Sequence, residues 1–257
     1  MTAADRLKPV AFWFLRHGET DWNARGLSQG NVDIPLNQTG LAQARSAALL
    51  LRNRGITSII SSPLSRARDT ADLVAQELGL TVAVDEGLRE VSFGVQEGKP
   101  MSEWFASWVA GTLTPAGAET FIALTVRAVA AVNRCIDRPP IVLVVAHGAL
   151  FRAMRAAMGH EPNVRTRNAV PIWCEPPRTG ASAWEISYAD LSNPLASTPK
   201  KRHGLSRPGH PPRESAGLTP CRRRRNRPPE TLRHQGPQRA RDLWKAEALS
   251  QRPAPTE

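Results

Sequence analysis

The chain has 257 residues, 41% of them hydrophobic, enough for one large domain or two small ones. Its net charge of +11 is uneven: residues 191–257 hold 15 Lys and Arg against 5 Asp and Glu, so residues 1–190 are a near-neutral globular body. No apolar run approaches the ~20 residues of a membrane span, no small-residue cleavage site follows the first apolar stretch, and Cys135, Cys174 and Cys221 show neither disulfide pairing nor metal-ligand spacing, which points to reduced thiols in the cytoplasm.

In chain order, Val10 to Leu15 is an apolar strand that stops at Arg16-His17-Gly18. Open α/β sheets place ligands at such carboxyl edges. A neutral imidazole is a nucleophile, a guanidinium is a fork for phosphate, and Gly18 is expected to let a ligand approach backbone N–H groups. Trp22 to Leu36 reads as a loop. A helix opens at Thr39-Gly40 and carries Leu41, Ala44, Ala48 and Leu51 on one face, with Gly55 as its stop. Ile56 to Ile60 is a second strand, and a helix follows with Leu64, Ala67, Ala71, Val74 and Leu78 on one face and Gly79 as its stop.

Leu80 to Val84 is a third strand. Leu88 to Gly98 is a loop containing Glu90, and Met101 to Ala110 a short helix with Trp104 and Trp108 one turn apart. Pro115 to Cys135 reads as a longer helix. Ile141 to Ala146, apolar throughout, is expected at the centre of the sheet and again ends in His-Gly, at His147-Gly148. A helix over Ala149 to Met158 and strands near Ala169 to Trp173 and Ser182 to Tyr188 complete the pattern. The alternation implies an α/β domain over residues 1–190, three-layer αβα with a mostly parallel central sheet covered on both faces. Residues 191–257 hold 11 of the 22 prolines and the run Arg222 to Arg225, and read as a disordered basic tail.

The topology brings His17, Arg16, His147 and Arg66 to one sheet edge, Arg66 in the first turn of its helix, where the positive end of the dipole adds to its charge. Together they make a pocket for a dianion. Glu90 is the acid placed near the same edge, with Glu86, Glu97 and Glu103 nearby in sequence.

These residues resemble the histidine phosphatase superfamily, which includes cofactor-dependent phosphoglycerate mutase. The resemblance rests on Arg16-His17-Gly18-Glu19-Thr20 with Asn23, on Gln29-Gly30, Asp33 and Pro35-Leu36, and on Gly40 and Gln43-Ala44. It continues through Ser61 to Ala67 with Thr70, Leu88-Arg89-Glu90, Gly94 and Glu97-Gly98 to His147-Gly148. It implies that His17 attacks phosphorus and that Arg16, Arg66 and His147, with Asn23, hold the phosphoryl oxygens. It also implies that Glu90 protonates the leaving alcohol and then activates water. Gln29, Gly30 and Gly148 join the substrate site by the same resemblance. It implies no cofactor and no metal, the arginines supplying the positive charge. Glu119 lies in a segment that resembles a family Gly-Glu-Ser.

Mutases of this family carry a long basic insertion between the catalytic acid and the second histidine. Here Glu90 to His147 is short and apolar, with Lys99, Arg127, Arg134 and Arg138 as its cations, which favours a phosphatase for small phosphorylated metabolites over mutase-type transfer and argues against a highly charged sugar bisphosphate. Gln96 stands where relatives often have Trp, a departure that bears on substrate range. A second alternative is nucleic-acid or acidic-partner binding through the tail, although its one aromatic, Trp244, provides no stacking platform.

Overall fold

The computed structural model describes residues 6–189, and the expected tail, with Cys221, lies outside them. Six strands form one sheet: β1 (Phe12–Arg16), β2 (Ser58–Ser61), β3 (Val82–Val84), β4 (Val142–Ala146), β5 (Ile172–Glu175) and β6 (Glu185–Tyr188), in the order β3-β2-β4-β1-β5-β6. β4 is buried along its whole length and lies between β2 and β1, parallel to both, which is the central place its apolar run predicts. β3 also runs parallel, whereas β5, reached from β4, pairs antiparallel with β1, and β6 pairs antiparallel with β5. The crossover rule therefore governs only the first four strands.

Side-chain alternation divides the core into two layers. Phe12, Phe14, Ile60, Val142 and Val144 face α5 (Phe121–Ile136) and α6 (Gly148–Ala157). Trp13, Leu15, Ile59, Leu143 and Val145 face α2 (Gln38–Leu51) and α3 (Ser65–Leu78). Two short helices, α1 (Asp21–Ala24) and α4 (Trp104–Val109), lie in the connections. Cys135 and Cys174 are buried and unpaired, and burial pushes the Cys135 thiol up to about 12. Among the described residues no helix is long and apolar enough to cross a membrane.

Several boundaries differ from the sequence reading for local reasons. α2 begins at Gln38, because Asn37 caps it by accepting the Gly40 N–H at 2.8 Å, a contact worth about 1 kcal/mol. α5 begins at Phe121 and not at Pro115: Thr120 is its cap, accepting from Ala123 N, while Ala118 bridges to Phe93 and Glu119 N donates to Ser92 O. Residues 115–120 are thus a turn, closed by Ala118 N donating to Pro115 O, that is braced against the Glu90 loop. The expected Trp22–Leu36 loop opens with α1, which Thr20 caps through its hydroxyl. α3 does end at Gly79, whose φ of +67° makes the left-handed cap.

Candidate active site

The carboxyl ends of β1 and β4 deliver His17 and His147 to the same place, with ring centroids 5.2 Å apart and both side chains buried. His17 Nδ1 lies 2.7 Å from the Gly18 carbonyl oxygen, an acceptor only, so this nitrogen carries the proton and Nε2 keeps its lone pair. Burial first, then the charges of Arg66 and Arg16, hold the His17 pKa well below the usual histidine value; the ring is neutral at neutral pH. His147 Nε2 lies 2.7 Å from Ser62 Oγ. That hydroxyl also accepts the Leu64 N–H at 3.3 Å. Nδ1 is buried without a partner among the described residues.

Arg66 is wholly buried, its two terminal nitrogens donating to the Gly30 carbonyl at 2.8 Å and the Val32 carbonyl at 2.9 Å. Asp33 steadies the start of α3 by accepting from the N–H and hydroxyl of Ser65, both at 2.8 Å. Arg16 donates through Nη1 to the Thr166 carbonyl at 2.6 Å. In both arginines the Nε is buried and has no partner among the described residues, so each keeps an uncommitted donor. Burial lowers both guanidinium pKa values to about 10, which leaves them charged at neutral pH.

Glu90 closes the far side. Its Oε1 accepts from Val91 N at 3.1 Å and Leu150 N at 3.0 Å, and its Oε2 accepts from Ala149 N alone, at 3.0 Å. The first turn of α6 therefore fixes the carboxyl orientation, and Oε2 has the spare lone pair. Of the neighbouring acids, Glu86 is exposed and paired with Arg89, Glu97 accepts from Asn31 N and Phe93 N, and Glu103 is exposed. Among the described residues Glu90 is the one carboxylate that reaches the cavity of about 320 Å³ lined by these side chains.

Arg16, His17, Asn23, Gln29, Gly30 and Gly148 also line that cavity, as does Arg66. Asn23 Oδ1 is engaged by Asn168 Nδ2 at 3.1 Å, which fixes the amide and leaves its N–H₂ for a ligand. Gly148 matters because a Cβ there would stand 3.2 Å from Arg16 Nε. His147, with its ring 5.2 Å from that of His17, is not among the residues that line the cavity.

Gly18 corrects the sequence reading. Its N–H donates to Thr70 Oγ1 at 3.0 Å, and a Cβ would collide with the backbone of Gly40, whose own Cβ would collide with the backbone of Glu19. The missing side chain lets α2 close against β1; it does not bring a ligand near. The tryptophans are structural as well: Trp108 is fully buried, Trp104 stacks edge-on with Phe93, and neither lines the cavity. Glu119 does not line the cavity either; it binds Arg127 through both oxygens at 2.9 and 2.6 Å, and Arg127 donates to the Gly87 and Arg89 carbonyls just ahead of Glu90.

Sequence reasoning missed Arg152, Arg165 and Thr166, and with them the aromatic wall of Phe93 and Phe105. Arg152 was legible, four residues after Gly148 and so on its helix face. Arg165 carried no local signal; its place depends on Arg16 gripping the carbonyl of the next residue, Thr166.

A family model for the histidine phosphatase superfamily (branch 1) matches residues 12–171. The probable phosphoglycerate mutase GpmB of Yersinia pestis is 40% identical over 173 residues, 61% of this chain and 80% of that protein. Among solved structures, mycobacterial glucosyl-3-phosphoglycerate phosphatase complexed with VO3 superposes with a TM-score of 0.61 at 29% identity, covering 68% of this chain and 96% of that one. A protein named mycobacterial hydrolase 1 superposes with a TM-score of 0.60 at 30% identity, covering 69% and 96%.

Proposed function

The chain belongs to the histidine phosphatase superfamily, and from that premise we propose that it is a phosphomonoesterase for small phosphorylated metabolites that works through a phosphohistidine on His17. The observation that carries this reading is the pairing of a neutral His17, its Nε2 lone pair unused, with two buried charged arginines whose Nε donors lack partners. Nε2 attacks phosphorus as the bond to the leaving oxygen breaks. Arg16, Arg66 and the Asn23 amide take the charge on the equatorial oxygens. Glu90 Oε2 gives its proton to the leaving alkoxide, and the resulting carboxylate takes one from the water that cleaves the P–N bond, regenerating His17 and releasing phosphate. Gln29 and Gly30 shape the wall, and the Gly30 carbonyl holds Arg66 in place.

Hydrolysis rather than transfer is favoured by the segment between Glu90 and the second histidine. It contributes Phe93, Met101 and Phe105 to the cavity and none of its cations; Arg127 and Arg134 are bound to Glu119 and Asp85. A mutase must keep water from its phosphoenzyme. The second reading, phosphoglycerate mutase-type transfer, is favoured by the likeness to the Yersinia protein of that name. The buried thiols Cys135 and Cys174 suit the reducing cytoplasm.

The test is hydrolysis of p-nitrophenyl phosphate in EDTA by wild type and His17→Ala, with acid-labile phosphoenzyme trapped by rapid quench. Turnover and label that both vanish in the variant are expected. Conversion of 3- to 2-phosphoglycerate outpacing phosphate release would replace hydrolysis by mutase chemistry, and activity surviving in His17→Ala would end the phosphohistidine reading.

A further inference from the structure

The cavity carries more positive charge than a phosphoryl group uses. Arg152 and Arg165 line it beside Arg16 and Arg66, against the single carboxylate of Glu90. Four guanidinium groups and one carboxylate leave a surplus of three, whereas a phosphomonoester brings about two negative charges near neutral pH. Neither extra arginine forms an ion pair among the described residues. Both act on Arg16 as like charges that lower its pKa, and Arg165 does the same to Arg152.

Both side chains also spring from fixed backbone. The Arg152 guanidinium lies over the Phe105 ring, 4.4 Å from its centroid, and its Nε donates to the Val164 carbonyl at 3.3 Å. That anchoring leaves the terminal nitrogens free of partners among the described residues. Arg165 is exposed on the ridge between the cavity and a groove beside α2, but its segment is held on both sides. Arg16 grips Thr166 O at 2.6 Å, and Asn168 Nδ2 donates to His17 O at 3.0 Å. Two anchored guanidinium groups on one side and the apolar faces of Phe93, Phe105 and Met101 on another describe the far end of a substrate.

Resting on the phosphatase reading, we propose that the preferred substrate is a phosphomonoester with a second anionic group, which Arg152 and Arg165 bind while Arg16 and Arg66 bind the phosphoryl group. The second anion is a carboxylate or another phosphate, and its carrier has an apolar or planar body that lies on the Phe93 and Phe105 wall. The sequence reading against a highly charged substrate weighed only cations between Glu90 and His147; those that reach the cavity come after His147.

The test uses the full chain and a matched set of substrates: 4-carboxyphenyl phosphate, its neutral isostere 4-carbamoylphenyl phosphate, and 1,4-phenylene bisphosphate. Wild type should prefer the carboxylate or the bisphosphate over the amide by about tenfold in kcat/KM, the scale of one charge-assisted hydrogen bond. The ratio should fall several-fold in Arg165→Gln and approach one in the Arg152→Gln/Arg165→Gln double variant. Arg165 is exposed and unbonded, so its variant tests the proposal even if Arg152→Gln folds poorly. Preference for the bisphosphate alone supports the proposal and assigns the second anion to phosphate. A wild-type ratio near one, or a ratio undiminished in the double variant, overturns it. If no aryl phosphate is hydrolysed, the phosphatase reading falls, and calorimetric binding of 4-carboxybenzylphosphonate against its carbamoyl counterpart decides this one: tighter binding of the carboxylated probe sustains it, and equal affinities end it.

Discussion

Gly18→Ala and Gly40→Ala should each destabilise the fold by about 2–3 kcal/mol, and by similar amounts. A Cβ on Gly18 would stand 2.9 Å from the Gly40 carbonyl carbon and 3.0 Å from its Cα, and a Cβ on Gly40 would stand 2.7 Å from Glu19 N. Ordinary carbon contacts lie near ~3.5–4.0 Å. Backbone faces backbone here, so no side chain can rotate away and the start of α2 must retreat from β1 by roughly 1 Å. That retreat stretches three hydrogen bonds that bind the two: Asn37 N to Glu19 O at 3.0 Å, Asn37 Nδ2 to Glu19 Oε1 at 3.1 Å, and Glu19 N to Gln43 Oε1 at 2.9 Å. Each is worth about 1 kcal/mol, and at about 2–4 °C per kcal/mol for a domain of this size Tm should drop by roughly 5–10 °C. Thermal melts of both variants by circular dichroism, with and without phosphate, are the assay. Gly40 does not line the cavity. If Gly18 served ligand approach instead, its variant would raise KM at an unchanged Tm and Gly40→Ala would be silent. A Gly40→Ala melt within about 2 °C of wild type refutes the packing argument.

The paired histidines predict how stability follows pH. Burial is the largest cause that lowers the pKa of His17 and of His147, so below about 6.5 the unfolded chain binds protons that the folded one refuses. Their contribution is complete above that value and is lost as pH falls, by up to about 1.4 kcal/mol per pH unit for each ring. Urea titrations at pH 7.5, 6.5 and 5.5 should show the slope and its reduction by one proton in His147→Asn; stability flat across this range contradicts the neutral assignment. Arg127→Met removes the bonds to the Gly87 and Arg89 carbonyls and should loosen the segment that presents Glu90. With Glu90 in the proposed role of proton donor to the leaving group, kcat/KM should fall about tenfold for an alkyl phosphate and less than about threefold for p-nitrophenyl phosphate, whose leaving group needs no proton. Equal losses for both would reduce Arg127 to a structural role.

What the sequence made legible were features that a short stretch of chain decides. The apolar run over residues 142–146 has no polar position that could face water, so β4 could only be central. Phe12 and Phe14 alternate with Trp13 and Leu15, and the structure sends the two pairs to opposite layers. Arg16, His17, Arg66, Glu90 and His147 could be gathered because each ends a strand, opens a helix or lies in the loop beside them. Features decided by distant partners stayed hidden. Nothing local to Gly18 names Gly40 as its neighbour, and the helical spacing from Phe121 onward extends smoothly back to Pro115 until Phe93 and Ser92 bind residues 118 and 119. Arg165 owes its position to a backbone carbonyl held by a side chain 150 positions earlier in the sequence.

The chemistry of the site follows from one electrostatic arrangement used twice. A phosphate cradle needs guanidinium groups that stay charged, and a histidine nucleophile needs a ring that stays neutral. Burial works against charge in both, yet Arg16 and Arg66, starting from 12.5, descend only to about 10 and stay charged, whereas His17, starting from 6.5, is held well below that value and stays neutral. The same arginines that would draw in a dianion add, after burial, to the repulsion of a proton from the His17 ring. In the proposed reaction, the charge of a bound phosphoryl group offsets theirs, and the repulsion that keeps His17 neutral weakens as the P–N bond forms and the ring becomes cationic. Glu90 lies on the same cavity wall, its charge favouring the protonated state of both Arg16 and Arg66. Replacing either arginine by glutamine should therefore do two separable things: weaken phosphate binding and raise the His17 pKa. The second effect is visible by NMR titration of the ring in protein free of phosphate. An Arg66→Gln variant whose His17 resonance titrates no higher than in wild type would show that burial alone keeps the nucleophile neutral.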